Sequence, residues 1–386
     1  MVDVHGTVEP GFEKVRDAFA SNFDELGEVG AGFALHIHGE LVVDIWAGVA
    51  DKASGTLWSD DTLQLVFSTT KGIAAICVGM LADRGVIDLD TPMAEYWPEF
   101  GAAGKEALTV RQVMSHQCGL PAVDAKLSRA DVLAVTPIVE ALAAQAPLWE
   151  PLSAHGYHAL TYGWLVGELI ARADGRRINQ FLQEEVAGPL GLEAWIGLPE
   201  SEEYRASALL DSPPPATEEE MALMMQVMGP GTMGFRALTL DGAMMDPGGV
   251  APVWNTRATH ASELPAANGM TNARSLSAIY AATLAAVNGT RLLSAETMAD
   301  MAAEQVSGPD KCLVAETRFG TGFMLKCDLV PLLNEGAFGH AGAGGSLGYA
   351  DPTTGVGYGY LMNQMGGGIA GDPRTIALNE AVRACV

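Results

Sequence analysis

The chain has 386 residues, 48% of them hydrophobic and only 18% charged, a balance that can bury a core and excludes extended disorder. Forty-seven acidic residues against 22 basic ones leave a net charge of −25, a field that repels phosphate backbones and anionic lipid, so nucleic acid and membrane surfaces are not expected as partners. The length also exceeds the roughly 250 to 300 residues that one hydrophobic core usually fills, which predicts two packed units.

Phe12, Val15, Phe19, Phe23 and Leu26 recur mostly three or four apart, so an amphipathic helix over 10–26 is predicted to open the chain. Residues 33–38 and 41–46 read as strands joined by Gly39-Glu40, a two-residue connection with glycine first that suits a type II′ hairpin. Over 68–84, Ile73, Cys77, Met80 and Leu81 keep helical spacing and Gly85 offers a left-handed stop, so a buried helix is predicted there. The periodic segments that follow, 110–115, 130–144, 157–173 and 178–186, are helical. Pro213, Pro214 and Pro215, then Glu218 to Glu220, mark a break and a fresh helix start before a long connection over 221–245. Strand-like runs return after Phe319, including 345–350 and 356–363, and 374–386 closes as a helix. The expected organisation is an α/β domain from 1–88 and 265–386, with a mainly helical domain over 89–264.

The first 20 residues lack a basic stretch followed by an apolar block, and the most apolar run, 72–82, is well short of the roughly 20 residues of a membrane span. Cys77, Cys118, Cys312, Cys327 and Cys385 are odd in number and lack metal-site spacing, which predicts reduced thiols and a cytoplasmic location. His36 and His38 share one strand face, as two metal ligands would, but no third ligand is indicated and an exposed strand face explains them as well. No metal and no cofactor is expected.

Ser68-Thr69-Thr70-Lys71 is an S-x-x-K tetrad at a helix start, where residues three apart share a face and both side chains can meet. Free N–H groups of the first turn would stabilise the anion formed when a serine oxygen attacks a carbonyl, and a desolvated lysine can lose its proton and act as base. Tyr157-His158-Ala159 is predicted at the start of a later helix, with a hydroxyl able to relay protons in a cleft. Residues 339–346, rich in glycine beside His340, form an edge that a ligand can approach closely.

Ser68-x-x-Lys71, Tyr157-His158-Ala159 and His340-Ala341-Gly342, in that order, resemble the motifs of the penicillin-recognising serine hydrolases, and the likeness is greatest to the family VIII carboxylesterases. It runs through 85–92, 115–120, 157–168 and 266–269 and covers nearly the whole chain. The resemblance implies an α+β, β-lactamase/transpeptidase-like fold: an antiparallel sheet flanked by N- and C-terminal helices, with an inserted helical domain. It implies Ser68 as the acylated nucleophile, Lys71 and Tyr157 as general acid and base, and the N–H groups of Ser68 and Ala343 as the oxyanion hole. His340, Ala341, Gly342 and Ala159 would line the substrate.

Two departures bear on substrate. The β-lactamases and peptidases carry an asparagine where this chain has Ala159, and a lysine where it has His340, so a contact to a substrate amide and a permanent cation for a carboxylate are both missing. The expected activity is therefore hydrolysis of small, uncharged carboxylic esters. The alternatives are a β-lactamase or D-aminopeptidase-like amidase with the same machinery, and a catalytically silent scaffold. Gly344-Gly345-Ser346-Leu347-Gly348 also matches G-x-S-x-G, but a nucleophile elbow needs a helix after the serine and this sequence does not favour one, so Ser346 reads as a loop residue. Seven methionines between Met221 and Met245 read first as a core-filling helix stripe and second as a pocket wall, and Trp149, Trp164 and Trp254 are further pocket candidates.

Overall fold

A computed structural model describes residues 2–386. Among these, ten strands form one antiparallel sheet, in the spatial order His5–Val8, Glu40–Asp51, Gly30–Ile37, Val356–Met362, Leu347–Asp351, Phe338–Ala341, Met324–Leu325, Glu316–Phe319 and Val306–Pro309, with Thr56–Leu57 paired to Glu40–Asp51. The two ends of the chain thus meet where Gly30–Ile37 pairs with Val356–Met362. A strand, not a helix, opens the described chain. The predicted helix follows it as Glu13–Glu25, with Val15 and Phe19 buried.

The central strands show how sequence sets the layers. Gly348, Gly357 and Gly359 point to one face, and Tyr349, Tyr358 and Tyr360 to the other, because side chains alternate along a strand. On the glycine face the helix Ala273–Leu284 lies directly on the backbone, so that a Cβ at Gly357 would sit 2.6 Å from that of Ala281. On the tyrosine face the rings fill the gap to the C-terminal helix, Pro373–Arg383, where Tyr349 Oη donates to Asn379 Oδ1 at 2.8 Å. All seven residues of Val356–Met362 are buried, as expected of a strand covered on both faces.

Several expectations are corrected. Ile37 pairs with Glu40, and His38 and Gly39 both have positive φ (+50° and +91°), so the hairpin is type I′ with His38-Gly39 at its centre. His38 leaves the strand face and His36 Nδ1 lies 2.9 Å from Ser277 Oγ; among the described residues no cluster of His, Cys, Asp or Glu could hold a metal ion. The 130–144 segment is two helices, Arg129–Leu133 and Thr136–Ala144, parted by Val135 at φ +68°. The stretch 221–245 is not a plain connection but carries helices Glu218–Met228 and Met233–Thr239. Met221, Met224 and Met225 are exposed, so they are no core stripe, while Met244 is buried. All five cysteines are free thiols, and no helix among the described residues is long and apolar enough to cross a membrane.

A second sheet of three strands, Gln64–Leu65, Gly269–Thr271 and Ala194–Ile196, lies beside the first. The chain leaves it at Leu65 and enters the buried helix Thr69–Asp83 within four residues.

Candidate active site

Ser68 is the N-cap residue of Thr69–Asp83, a helix whose residues 69–81 are all buried. Phe67, just before it, is held at φ +41°, a left-handed conformation that costs a bulky residue about 1 to 3 kcal/mol. Two contacts hold it there: Thr70 Oγ1 donates to its carbonyl at 2.5 Å, and the edge of Trp254 packs on its ring at 4.9 Å between centroids. Thr70 Oγ1 also accepts from Gly269 N at 2.8 Å, tying the helix start to the small sheet.

Lys71 is fully buried one helical turn along, and its Nζ has three partners: Ser68 Oγ at 2.9 Å, the Ala159 carbonyl at 2.6 Å and the Ala266 carbonyl at 2.9 Å. Carbonyls only accept. A neutral amine has two N–H donors and one lone pair, so with both donors spent on Ala159 and Ala266 the lone pair faces the Ser68 hydroxyl. Burial pushes the Lys71 ammonium well below the usual lysine range, which favours that neutral form.

Tyr157 does not begin a helix. It lies in an irregular segment four residues ahead of Thr161–Asp174, and its backbone N–H donates to Asp310 Oδ1 at 3.1 Å. Its ring stacks on Phe319 at 6.0 Å and lies 4.8 Å from Lys71 Nζ. The hydroxyl is buried without a well-formed hydrogen bond. Burial holds it above the usual phenol range, outweighing the neighbouring Ser68 hydroxyl, which pulls the other way.

His340 and Ala341 lie on the strand Phe338–Ala341, and Gly342 to Ser346 turn back into Leu347–Asp351. Ser346 is therefore followed by a strand, which leaves no nucleophile elbow. Its hydroxyl instead donates to the Val66 carbonyl at 2.8 Å and lies 3.0 Å from Thr69 Oγ1, latching the turn to the residues either side of Ser68. A Cβ at Gly342 would lie 2.3 Å from the Val66 carbonyl, so only glycine permits this approach. Among the described residues, neither the Ser68 nor the Ala343 amide donates to another backbone group.

Four buried histidines surround this centre. His340 Nδ1 is 2.7 Å from the Ala341 carbonyl and must donate to it, which leaves Nε2 as a buried acceptor without a partner. Burial, and then Lys71, hold His340 well below the usual imidazole range. His158 accepts from Leu120 N at Nε2 (2.9 Å), and burial pushes it down to about 3. His116, at φ +65°, accepts the His158 N–H at 3.2 Å, and His155 Nε2 lies 2.8 Å from Thr317 Oγ1. Ala159 contributes its carbonyl to Lys71, and its side chain is buried with Ala341.

A family model described as Beta-lactamase matches residues 17–382. The chain belongs to the beta-lactamase family. Within that family it is 36% identical over 370 residues to esterase/beta-lactamase LipL of Mycobacterium tuberculosis, covering 94% of this chain and 83% of that protein. The crystal structure of a family VIII carboxylesterase superposes with a TM-score of 0.90 at 39% identity, and a penicillin-binding protein homologue from Caulobacter crescentus with 0.87 at 36% identity, each covering all of both chains. The β-lactamase-like fold, an antiparallel sheet with packed helices, is thus shared with these two structures over their full length.

The structure brings Ser68, Lys71 and Tyr157 together around the 342–346 turn. Sequence reading gave no role to Ala266, though the resemblance includes 266–269, and it missed Asp310. Ala266 acts through its carbonyl, which leaves no side-chain signal. Asp310 is buried and accepts from the amides of Tyr157, Cys312 and Leu313, a role that no spacing in the sequence announces.

Proposed function

We propose that the chain is a serine carboxylesterase that hydrolyses small, uncharged carboxylic esters through an acyl-enzyme on Ser68. The observation that carries the reading is the buried Lys71 Nζ, 2.9 Å from Ser68 Oγ with the Ala159 and Ala266 carbonyls as its other partners; in the neutral amine those carbonyls take both N–H donors and leave the lone pair for the Ser68 hydroxyl. In the proposed sequence Lys71 takes the Ser68 proton as Oγ attacks the ester carbonyl, and the Ser68 and Ala343 amides hold the oxyanion. Tyr157, kept protonated by burial, passes a proton to the departing alcohol and recovers one from Lys71. Water then attacks the acyl-enzyme, with Lys71 and Tyr157 exchanging protons in reverse. The esterase relatives support this choice of bond. Ala159 and neutral His340, Ala341 and Gly342 are proposed to line the acyl site and to disfavour charged amide substrates. The same machinery can turn over β-lactams, and the name of LipL joins both activities, so slow lactam hydrolysis is the second reading. The free cysteines fit a reducing, cytoplasmic setting.

The test treats wild type and Ser68→Ala with a fluorophosphonate and locates the adduct by mass spectrometry. A nitrophenyl ester series and a chromogenic cephalosporin are then compared as substrates. The expected result is an adduct on Ser68 alone, ester turnover lost in Ser68→Ala, and esters preferred over the cephalosporin. An unlabelled Ser68 favours a silent scaffold, and a cephalosporin preferred by orders of magnitude makes the protein a β-lactamase.

A further inference from the structure

Behind the 342–346 turn lies a buried ionic cluster that the proposed chemistry does not use. Arg374, near the start of the C-terminal helix, sits with its guanidinium enclosed. It grips Asp372 with two parallel bonds, Nε to Oδ1 at 2.8 Å and Nη2 to Oδ2 at 2.7 Å, and reaches Glu28 Oε1 with Nη1 at 3.1 Å. Two further donors go to main-chain carbonyls, Nη1 to Gln364 at 2.8 Å and Nη2 to Gly344 at 2.7 Å. Gly344 is the residue after Ala343.

We propose that Arg374 is a positioning residue that fixes the 342–346 turn, and with it the direction of the Ala343 N–H. The inference rests on the esterase reading only for the use made of that N–H. A buried ion network is a poor source of stability, because apolar side chains of the same volume serve as well. What a guanidinium supplies is direction: its donors lie in one rigid plane, and Asp372 locks that plane in place. The turn needs such a support. Gly344 and Gly345 have φ +83° and +129°, conformations with little intrinsic preference for a single orientation in glycine. From the front Ser346 ties the turn to Val66; from behind Gly366 N and Arg374 Nη2 both bond the Gly344 carbonyl, at 2.8 and 2.7 Å. The fit is close, since a Cβ at Gly345 would stand 2.8 Å from Asp372 Oδ2 and 2.9 Å from Arg374 Nη2. The carbonyl that Arg374 bonds belongs to the Gly344–Gly345 peptide, whose N–H donates to the Gly342 carbonyl at 3.1 Å, and that carbonyl shares a peptide plane with the Ala343 N–H, so the support reaches the Ala343 N–H through one further hydrogen bond. An oxyanion donor has to be aimed before the reaction begins, so loosening that plane would lose most of its effect.

The test compares wild type with Arg374→Lys, which keeps the charge but not the planar fork, and with Asp372→Asn, which still caps the helix but loosens the grip on Arg374. Active sites are titrated with the fluorophosphonate, and ester kinetics are expressed per titrated site. Hydrogen exchange of a peptide spanning 338–347 is measured alongside. Both variants are expected to lose about 10- to 100-fold in kcat per site, with KM changed less than about threefold, and to exchange faster over 342–346. Millimolar guanidinium should restore part of the kcat of Arg374→Ala. A support that is only structural lowers the fraction of titratable sites and leaves kcat per site at the wild-type value, and that result overturns the proposal, as does unchanged exchange over the turn. If Arg374→Lys does not fold, Asp372→Asn decides by the same criteria. Wild type without ester turnover would end the esterase reading, and the exchange measurement would still decide on the clamp.

Discussion

Lys71 and Arg374 are both enclosed, yet the two regions that hold them differ in kind. Lys71 Nζ meets two carbonyls and one hydroxyl, with no carboxylate among its partners. Arg374 meets two carboxylates, in Asp372 and Glu28, besides its carbonyls. A cation without a counter-charge in a low-dielectric site gives up its proton if its chemistry allows, and an amine can do so at accessible cost. A guanidinium cannot, and is held instead by opposite charge. The same degree of burial therefore suits one residue to the base's part in the proposed mechanism and the other to that of a fixed strut, and the partners decide which.

The sharpest way to break that contrast is to exchange the chemistry at Lys71. Lys71→Arg keeps a cation but removes the lone pair, so kcat/KM for a non-ionising ester should fall by about a thousandfold or more, as Lys71→Ala should. In wild type the rate should drop as pH falls, because protonation of the amine removes the base, and the group that titrates will be the coupled Ser68, Lys71 and Tyr157 set rather than one residue. A stopped-assay pH series on wild type and both variants checks this. Retention of more than a tenth of the activity in Lys71→Arg would show that a charge, not a base, is what the site requires.

A smaller effect is expected at Tyr157, whose hydroxyl lacks the fixed partners that Lys71 has. A group proposed to face Ser68, then the departing alcohol, then water is best left uncommitted to one bond. Tyr157→Phe should cost about a hundredfold for alkyl esters, whose alcohol must be protonated to leave, and less than about tenfold for nitrophenyl esters, whose anion leaves unaided. Rates across a series of leaving groups measure the difference, and equal losses at both ends of the series would remove Tyr157 from proton transfer to the alcohol.

Much of this was legible in the sequence. The tetrad 68–71 sits at a helix start because three-residue spacing and the stop at Gly85 are local signals, and the small-residue turn after His340 announces a close backbone approach. What was not legible depends on contacts between distant segments. Tyr157 reads as the start of the helical segment 157–173, yet Asp310 captures its amide and the helix begins only at Thr161. The methionines of 221–228 have a helix composition that suits a core, and only the packing shows Met221, Met224 and Met225 exposed. Arg374 carries no signal in the sequence beyond its place at the start of the predicted closing helix; its burial follows from Glu28, Asp372 and Gly344, which lie near one another only after the sheet has closed.

The least dramatic test of the contrast concerns stability. Burial pushes the Glu28 carboxyl up to about 7, against the pull of Arg374 and of the Tyr360 hydroxyl that bonds it. The unfolded chain releases this proton near its ordinary value of 4.5, while the folded chain still holds it. In that window the unfolded state binds fewer protons, so stability falls as pH rises from about 4.5 to about 7, by about 3 kcal/mol in total from this one group. Glu28→Gln cannot ionise and should lack the slope. Denaturant unfolding of both proteins between pH 4 and 8 isolates it, because every other titrating group cancels in the difference. A difference that shrinks with pH in the variant's favour supports a carboxyl dominated by burial. A constant difference means that Arg374 keeps Glu28 ionised throughout, and the strut then carries two full counter-charges, which makes its opposition to Lys71 more complete.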